Sequence, residues 1–425
     1  MRSIFRTIRM GQGQMANMSE NPDAVHVRPV ESKKDLDRFI KFPFRLYRDN
    51  PYWVPPLISE RKEFFDPQRN PFYQHADVQL FLAERAGEVV GTIAGIINHT
   101  HNRVYEEKIA FWGIFETVED YTVAEALFSA VSAWGKAAGM DTLRGPMNMA
   151  FHHEFGLLID AFDKRPVVAT TYNPPYYAEF VEQFGFVKVK DHYAYYLDVS
   201  PHISGRSSIP EKLVRVAEHA RRRAGVTIRK ANLDDWENEL SRAYDVFNLA
   251  WRDNWGAAPV SREEALHLIK SLKLFLDPDF VYIAEKDGKF VGVSLSLADI
   301  NQPLYHIKGR LFPFGWIKFL YYRRRIDTVR VFIMGVVKEY RSAGLDAVFY
   351  LETAQAAFRK NLPNVEMSLI LEDNEMMRRI IENFGGHIYK TYRMYDLPLN
   401  EDPVPHERHN PTPASASGEE PISQE

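Results

Sequence analysis

Residues 336–358 read VVKEYRSAGLDAVFYLETAQAAF, and the rest of the chain can be ordered outward from them. The stretch joins the end of a β-branched run (Val329, Val331, Ile333, Val336) to a loop carrying Arg341 and Gly344. Apolar residues at Leu345, Val348, Phe349, Leu351 and Phe358 then follow at helical spacing. A strand that ends in a short loop opening a helix leaves unpaired backbone amides pointing outward, with the positive end of the helix dipole behind them. Such a corner seats a diphosphate. It is neither a Walker loop nor the GxGxxG turn of dinucleotide folds.

Downstream, Val365–Leu371 reads as a strand, and Asn374 opens a helix whose residues Met376, Met377, Ile380, Ile381 and Phe384 share one face. Gly385 and Gly386 end it, and His387–Tyr395 forms a last strand. Arg341, two residues, Gly344, one residue and a final position resemble the acyl-CoA diphosphate loop of the GNAT superfamily of N-acyltransferases, written Q or R, x, x, G, x, G or A. The chain departs from that pattern at Asp346. The order strand, loop, helix, strand, Asn-led helix, Phe-Gly-Gly and tyrosine-rich strand is that of the second half of a GNAT domain. The resemblance implies an α/β (α+β) fold with a mixed central sheet, and acyl-CoA as co-substrate with no cofactor bound permanently. It also implies that Arg341, Ser342, Ala343, Gly344, Leu345 and Ala347 hold the diphosphate, that amides at Val336 and Val337 hold the thioester carbonyl, and that Asn374 meets the pantetheine arm.

The 425 residues are enough for two domains, and 45% hydrophobic with 26% charged residues is the composition of an ordinary globular chain. Lys plus Arg (53) nearly balances Asp plus Glu (57), so no global field recruits nucleic acid. The absence of cysteine excludes disulfides and thiolate chemistry and fits a reducing, cytoplasmic setting. No window approaches the run of apolar residues needed to cross a bilayer. Residues 1–23 read as a disordered extension, with Met15 or Met18 as alternative starts, and 400–425, rich in Pro, Ser and Glu, as a disordered tail.

The first half repeats the layout of the second. Strand Val25–Val30 and helix Ser32–Tyr47 precede a proline- and aromatic-rich stretch expected to be neither helix nor strand. A hairpin (Val78–Glu84, Val89–Asn98), strand Ile109–Phe115, helix Val123–Ala138, strand Leu143–Gly145, an Asn173-headed helix and strand Val187–Val199 follow. Two GNAT-like halves are therefore expected, 24–200 and 210–398. Strand Ile109–Phe115 runs into Glu116, Glu119 and Asp120 instead of an Arg-x-x-Gly loop. Carboxylates would repel a diphosphate there, which makes the first half degenerate and assigns acyl-CoA to the second.

His152, His153 and Glu154 stand together in GPMNMAFHHEFGLLID. Either His153 deprotonates an amine with Glu154 orienting it, or these side chains cap a loop. Adjacent residues converge poorly on a metal, so no metal site is expected. His152, Tyr172, Asn173, Tyr176 and Tyr177 are candidates for an acceptor site, although Asn173 reads equally as a helix cap. GNAT enzymes often carry a tyrosine that returns a proton to the leaving thiolate. Its position here holds Ile381, leaving Tyr392 or Tyr395 as the source.

Between Ala298 and Val329 lies the insertion INQPLYHIKGRLFPFGWIKFLYYRRRID. Rings such as Trp316 and Phe319, interleaved with cations, suit a lipid surface, an alkyl-chain groove or an ordinary packed helix with a basic end. On the stretches FPFRLYRDNPYWVPPL, NPFYQHADVQLFLAER, RGPMNMAFHHEFGLLID, TYNPPYYAEFVEQFGF and GVVKEYRSAGLDAVFY, the chain resembles a family of bacterial double-GNAT proteins over residues 25–398. Some members are similar to the bacterial ceramide synthase. The resemblance implies transfer of an acyl chain from acyl-CoA to the amine of a sphingoid base, with peripheral contact at the inner membrane. Transfer to a soluble amine or a protein, and a non-catalytic lipid-binding role, stand as alternatives.

Overall fold

The computed structural model describes residues 23–205, 209, 211–272 and 276–400, so the expected extension and tail lie, apart from Asp23 and Asn400, outside the described residues. In the first half, β1 (His26–Pro29), α1 (Lys33–Leu46) and α2 (Ile58–Phe64) precede the hairpin of β2 (Ala76–Arg85) and β3 (Glu88–Asn98). Then come α3 (His99–Tyr105), β4 (Ile109–Thr117), α4 (Tyr121–Ala137), β5 (Thr142–Gly145), the two-residue β6 (Leu157–Leu158), α5 (Tyr176–Phe184), β7 (Val187–Asp198) and α6 (Ser200–Ile203). The second half opens with α7 (Glu211–Ala224), β8 (Thr227–Lys230), α8 (Trp236–Trp251), α9 (Arg262–Leu272) and the hairpin of β9 (Val281–Lys286) and β10 (Lys289–Ala298). It continues through α10 (Asn301–Ile307), α11 (Gly315–Arg323), β11 (Thr328–Val336), α12 (Leu345–Arg359), β12 (Asn364–Leu371), α13 (Glu375–Asn383) and β13 (His387–Pro398).

Local chemistry explains most boundaries. Ser32 caps α1 by accepting the Asp35 amide, and Asp120 caps α4 by accepting that of Thr122. Both hairpins turn on a left-handed pair, Ala86–Gly87 and Asp287–Gly288, the geometry that two-residue loops demand. Two expectations change. The proline-rich stretch contains α2, because the window between Pro56 and Pro67 keeps all its amide donors. Asn173 does not head α5; Pro174 and Pro175 follow it, and its amide instead bridges the N–H and C=O of Leu158.

The strands form one sheet in the order β1-β2-β3-β4-β5-β13-β7-β12-β11-β10-β9-β8, with β6 against β13. The last strand of each half thus lies on the other half's side. β13 sits beside β5 and, with the residue after it, supplies Tyr395 and Leu399 to the first-half core, while β7 sits beside β12 and, with the residue after it, supplies Tyr195 and Val199 to the second. Two reciprocal hydrogen bonds secure the exchange. Tyr395 donates to Glu182 on α5 (2.9 Å), and Tyr195 donates to Glu382 on α13 (2.8 Å).

Candidate active site

β11 and β12 pair in parallel only from Thr328 to Val331, and then splay apart. Phe332 to Gly335 and Leu369 to Leu371 are half-buried although they lie well inside the sheet, so the cleft between the splayed strands is partly exposed. At its mouth β11 passes through a 3-10 turn, Lys338–Ala343, and through Gly344 in the left-handed region (φ +76°) into α12. Arg341 folds back onto the protein, its guanidinium donating to Val336 O (3.2 Å) and Ala250 O (2.7 Å). α7 lies across the corner: a Cβ at Gly344 would stand 3.4 Å from Ala220 and 3.7 Å from Val216. Leu345 is buried and Ala347 donates to Gly344 O (3.1 Å), while burial raises the Asp346 carboxyl. The Val337 amide is spent on Val291 O (3.0 Å), so the expected pair of free amides is not present at Val337. Strand alternation turns the Val336 amide the other way, toward the cleft. Asn374 caps α13 through the Met377 amide (3.2 Å).

The equivalent splay in the first half is filled. β4 and β5 pair over Ile109–Phe111 and Thr142–Arg144, after which the loop following β5 docks on β4. Met147 N–H donates to Trp112 O (2.8 Å), and Ile114 N–H donates to Asn148 Oδ1 (2.8 Å). Gly113 allows this approach, since a Cβ there would collide with Met147 O. At the corner, Asp120 pairs with Arg85 (2.8 Å).

Behind that loop lies a cavity of about 330 Å³. α1, the segment 53–61, β4, the loop 146–157, the segment 166–173 and the start of α10 enclose it. Most of the wall is apolar, with Phe39, Phe44, Trp53, Leu57, Trp112, Phe115, Ile300 and Leu304 among its residues. Polar groups come from Glu60, Arg61, Glu116, Asn148, Glu154, Tyr172 and Tyr177, and from Thr92, Thr170, Thr171, Asn173 and Asn301. Glu116 accepts hydrogen bonds from the hydroxyls of Tyr47 and Tyr177, the latter at 2.8 Å. Burial pushes its carboxyl from the ordinary 4.5 to about 7; the two tyrosine bonds oppose this, and the Glu154 charge adds to it.

The segment 166–173 lines the cavity and is held by buried charges. Arg330 donates to Val168 O and Ser368 O, and Asp299 accepts the amides of Val168 (2.9 Å) and Asn301 (3.2 Å). Lys390 donates to the carbonyls of Lys164 (2.9 Å) and Arg165 (2.8 Å). An unpaired charge buried here would be costly, so the segment is tightly held.

Of the residues expected from sequence, the cavity gathers Glu154, Tyr172, Asn173 and Tyr177. Glu154 stands 3.7 Å from the Arg61 guanidinium and accepts from Asn148 (3.4 Å), and Tyr172 accepts from Asn50 (3.0 Å). His153 stands outside the cavity lining, edge-on to Phe64 and Phe72, and burial holds its imidazole neutral. His152 borders smaller cavities and approaches Glu264 of α9 (3.8 Å). Tyr176 donates to Thr117 O (2.9 Å), and Tyr395 is closed in the first-half core against Glu182. Trp316 is exposed on α11, whereas Phe319 packs inward. Among the described residues no cluster could hold a metal ion.

The cavity's buried carboxyl Glu116 was legible only as a charge hostile to diphosphate. The tyrosine pair Tyr176–Tyr177 on the first turn of α5, in the first-half counterpart of the helix bearing Ile381, was the available signal.

No protein-family model matches the chain. The bacterial ceramide synthase of Caulobacter vibrioides (strain NA1000 / CB15N) is 35% identical over 391 residues, 90% of this chain and 99% of that protein. Protein YghO of Escherichia coli (strain K12) is 33% identical over 389 residues, 90% of this chain and 97% of its own length. A solved tandem GNAT protein from the clavulanic acid biosynthesis pathway (without AcCoA) covers 89% of this chain and 100% of that one, with a TM-score of 0.54 at 13% identity. That likeness is one of fold.

Proposed function

The chain belongs to the family of the bacterial ceramide synthase, and from that premise we propose that it moves an acyl group from acyl-CoA to the amine of a sphingoid base. The observation that carries the reading is the first-half cavity: mostly apolar walls, with polar groups that include a carboxyl near neutrality. A volume of about 330 Å³ is within the range of small-molecule sites. The walls suit an alkyl chain, while Glu116, Asn148 and Glu154 suit an amine flanked by hydroxyls. The cleft between β11 and β12, ending at the corner 336–347, is the complementary place for the pantetheine arm and diphosphate. The filled first-half splay and the Asp120 carboxylate at its corner argue against that half as the cofactor's seat.

In this reading the ammonium loses a proton to Glu116, whose raised affinity suits a base working near pH 7. The neutral amine attacks the thioester carbonyl; the C–N bond forms as the C–S bond breaks, and the leaving thiolate takes up a proton. Fixing two substrates in one joined site supplies much of the rate. No helix among the described residues is long and apolar enough to cross a membrane, so a lipid acceptor calls for surface contact, which α11 offers.

The test is to incubate the protein with a long-chain acyl-CoA and, in separate arms, a sphingoid base, a soluble amino sugar and a lysine peptide. Product is followed by mass spectrometry and by release of free thiol. An N-acylated sphingoid base is expected. Product only in the soluble arms would reject the lipid acceptor, and none in any arm would reject the enzyme.

A further inference from the structure

The insertion before β11 folds as α10 and α11, packed together through the stacked rings of His306 and Tyr322, whose centroids lie 3.5 Å apart. Between positions 312 and 321 six large apolar side chains face water: Phe312 (79% exposed), Phe314 (70%), Trp316, Ile317, Leu320 and Tyr321. They make up half of the large apolar side chains exposed among the described residues. From Asn301 to Arg325 the chain carries six cations, Lys308, Arg310, Lys318, Arg323, Arg324 and Arg325, and no carboxylate. Protruding rings within a one-sign belt of cations complement an anionic lipid surface, where rings enter the headgroup layer and cations meet phosphates.

The same element reaches the cavity. Ile300 and Leu304, at the start of α10, line it. The α10–α11 turn presses against two more of its wall residues. A Cβ on Gly309 would lie 2.5 Å from the Phe44 ring and 2.7 Å from Pro56 O, and Gly309 O accepts the Ile58 amide (3.1 Å). The exposed rings and the edge of the cavity are thus less than one short helix apart.

We infer that α11 docks on an anionic bilayer and that the lipid amine passes from the membrane into the cavity alongside α10, past Ile300 and Leu304. This rests on the reading that the cavity takes a lipid amine. The acceptor's tail then never crosses water, and the bilayer is both its reservoir and the partner of α11.

The experiment compares the full chain with a triple variant, Phe314→Ser, Ile317→Ser and Leu320→Ser. Cosedimentation is measured with phosphatidylcholine vesicles with and without phosphatidylglycerol. Turnover of a sphingoid base is measured in those vesicles and in detergent micelles. The unaltered chain is expected to sediment with anionic vesicles, less so at high salt. The variant is expected to lose about tenfold or more in vesicle binding and vesicle turnover, the three side chains being large apolar groups removed from the contact. Its turnover in detergent stays unchanged. Vesicle binding and turnover equal to the unaltered chain would overturn the inference. So would a patch that pairs two copies, seen as a dimer in solution that the variant dissolves and that does not bind vesicles. Absence of detergent turnover in both proteins would instead condemn the acceptor assignment, while sedimentation still judges the docking surface.

Discussion

The substitution Glu116→Gln tests the chemistry at its centre. Glutamine keeps the shape and can still accept from Tyr47 and Tyr177, so packing is conserved while the charge and the base are removed. Loss of a positioned base costs about 10²- to 10⁴-fold in rate. The unaltered enzyme should gain rate as pH rises through about 7, and the variant should not. Stability gives an independent reading. The folded state holds the Glu116 proton more tightly than the unfolded chain does, so its contribution is fully present below pH 4.5 and lost as pH rises through about 7. The interval from 4.5 to about 7, at about 1.36 kcal/mol per pH unit, comes to at most about 3 kcal/mol. A glutamine side chain does not titrate and suffers no such loss, so the variant should match the unaltered chain in acid and exceed it above about pH 8. Rates measured by thiol release and urea melts at both pH values supply the data. A variant with unaltered rate and pH profile, and a stability difference independent of pH, would refute the reasoning.

Tyr177→Phe removes a donor to Glu116 and leaves the Thr117 amide, now bonded to the Tyr177 hydroxyl at 2.7 Å, without its acceptor. It should cost about 1–3 kcal/mol in denaturant melts and move the rise of the pH–rate profile upward, because the lost bond lowers the Glu116 carboxyl. Gly344→Glu should abolish the rise in melting temperature that acyl-CoA produces in the unaltered chain, with Gly344→Ala as the control for the positive φ; an undiminished shift rejects the corner as the diphosphate seat. Ending the chain at Gly386 removes β13 with the buried Tyr392, Met394 and Tyr395. At about 2–5 kcal/mol for each large core side chain this approaches the whole stability of a domain, so the cooperative melt should disappear from the first half as well. A first half that still melts cooperatively would show that the strand exchange is dispensable.

Much of the architecture is local and was readable in order along the chain. The run from Val329 through Gly344 into α12, the two glycine-ended helices and the tyrosine-bearing strands each follow from periodicity and caps within a few residues, and their repetition announces two similar halves. The basic, aromatic character of 301–325 is equally local. What tertiary structure alone decided concerns partners distant in sequence. That β13 completes the first core and β7 the second depends on sheet pairings no local signal encodes, and so does the burial of Tyr395 in the first-half core against Glu182. The proton affinity of Glu116 is set by desolvation and by tyrosines 69 and 61 residues away. The Val337 amide is spent because β10 happens to reach it, and α7 lies over Gly344 because its apolar face packs on α12. Covalent neighbours determine which elements form. Whether a polar group within them is free, paired or shifted depends on what the folded chain brings against it.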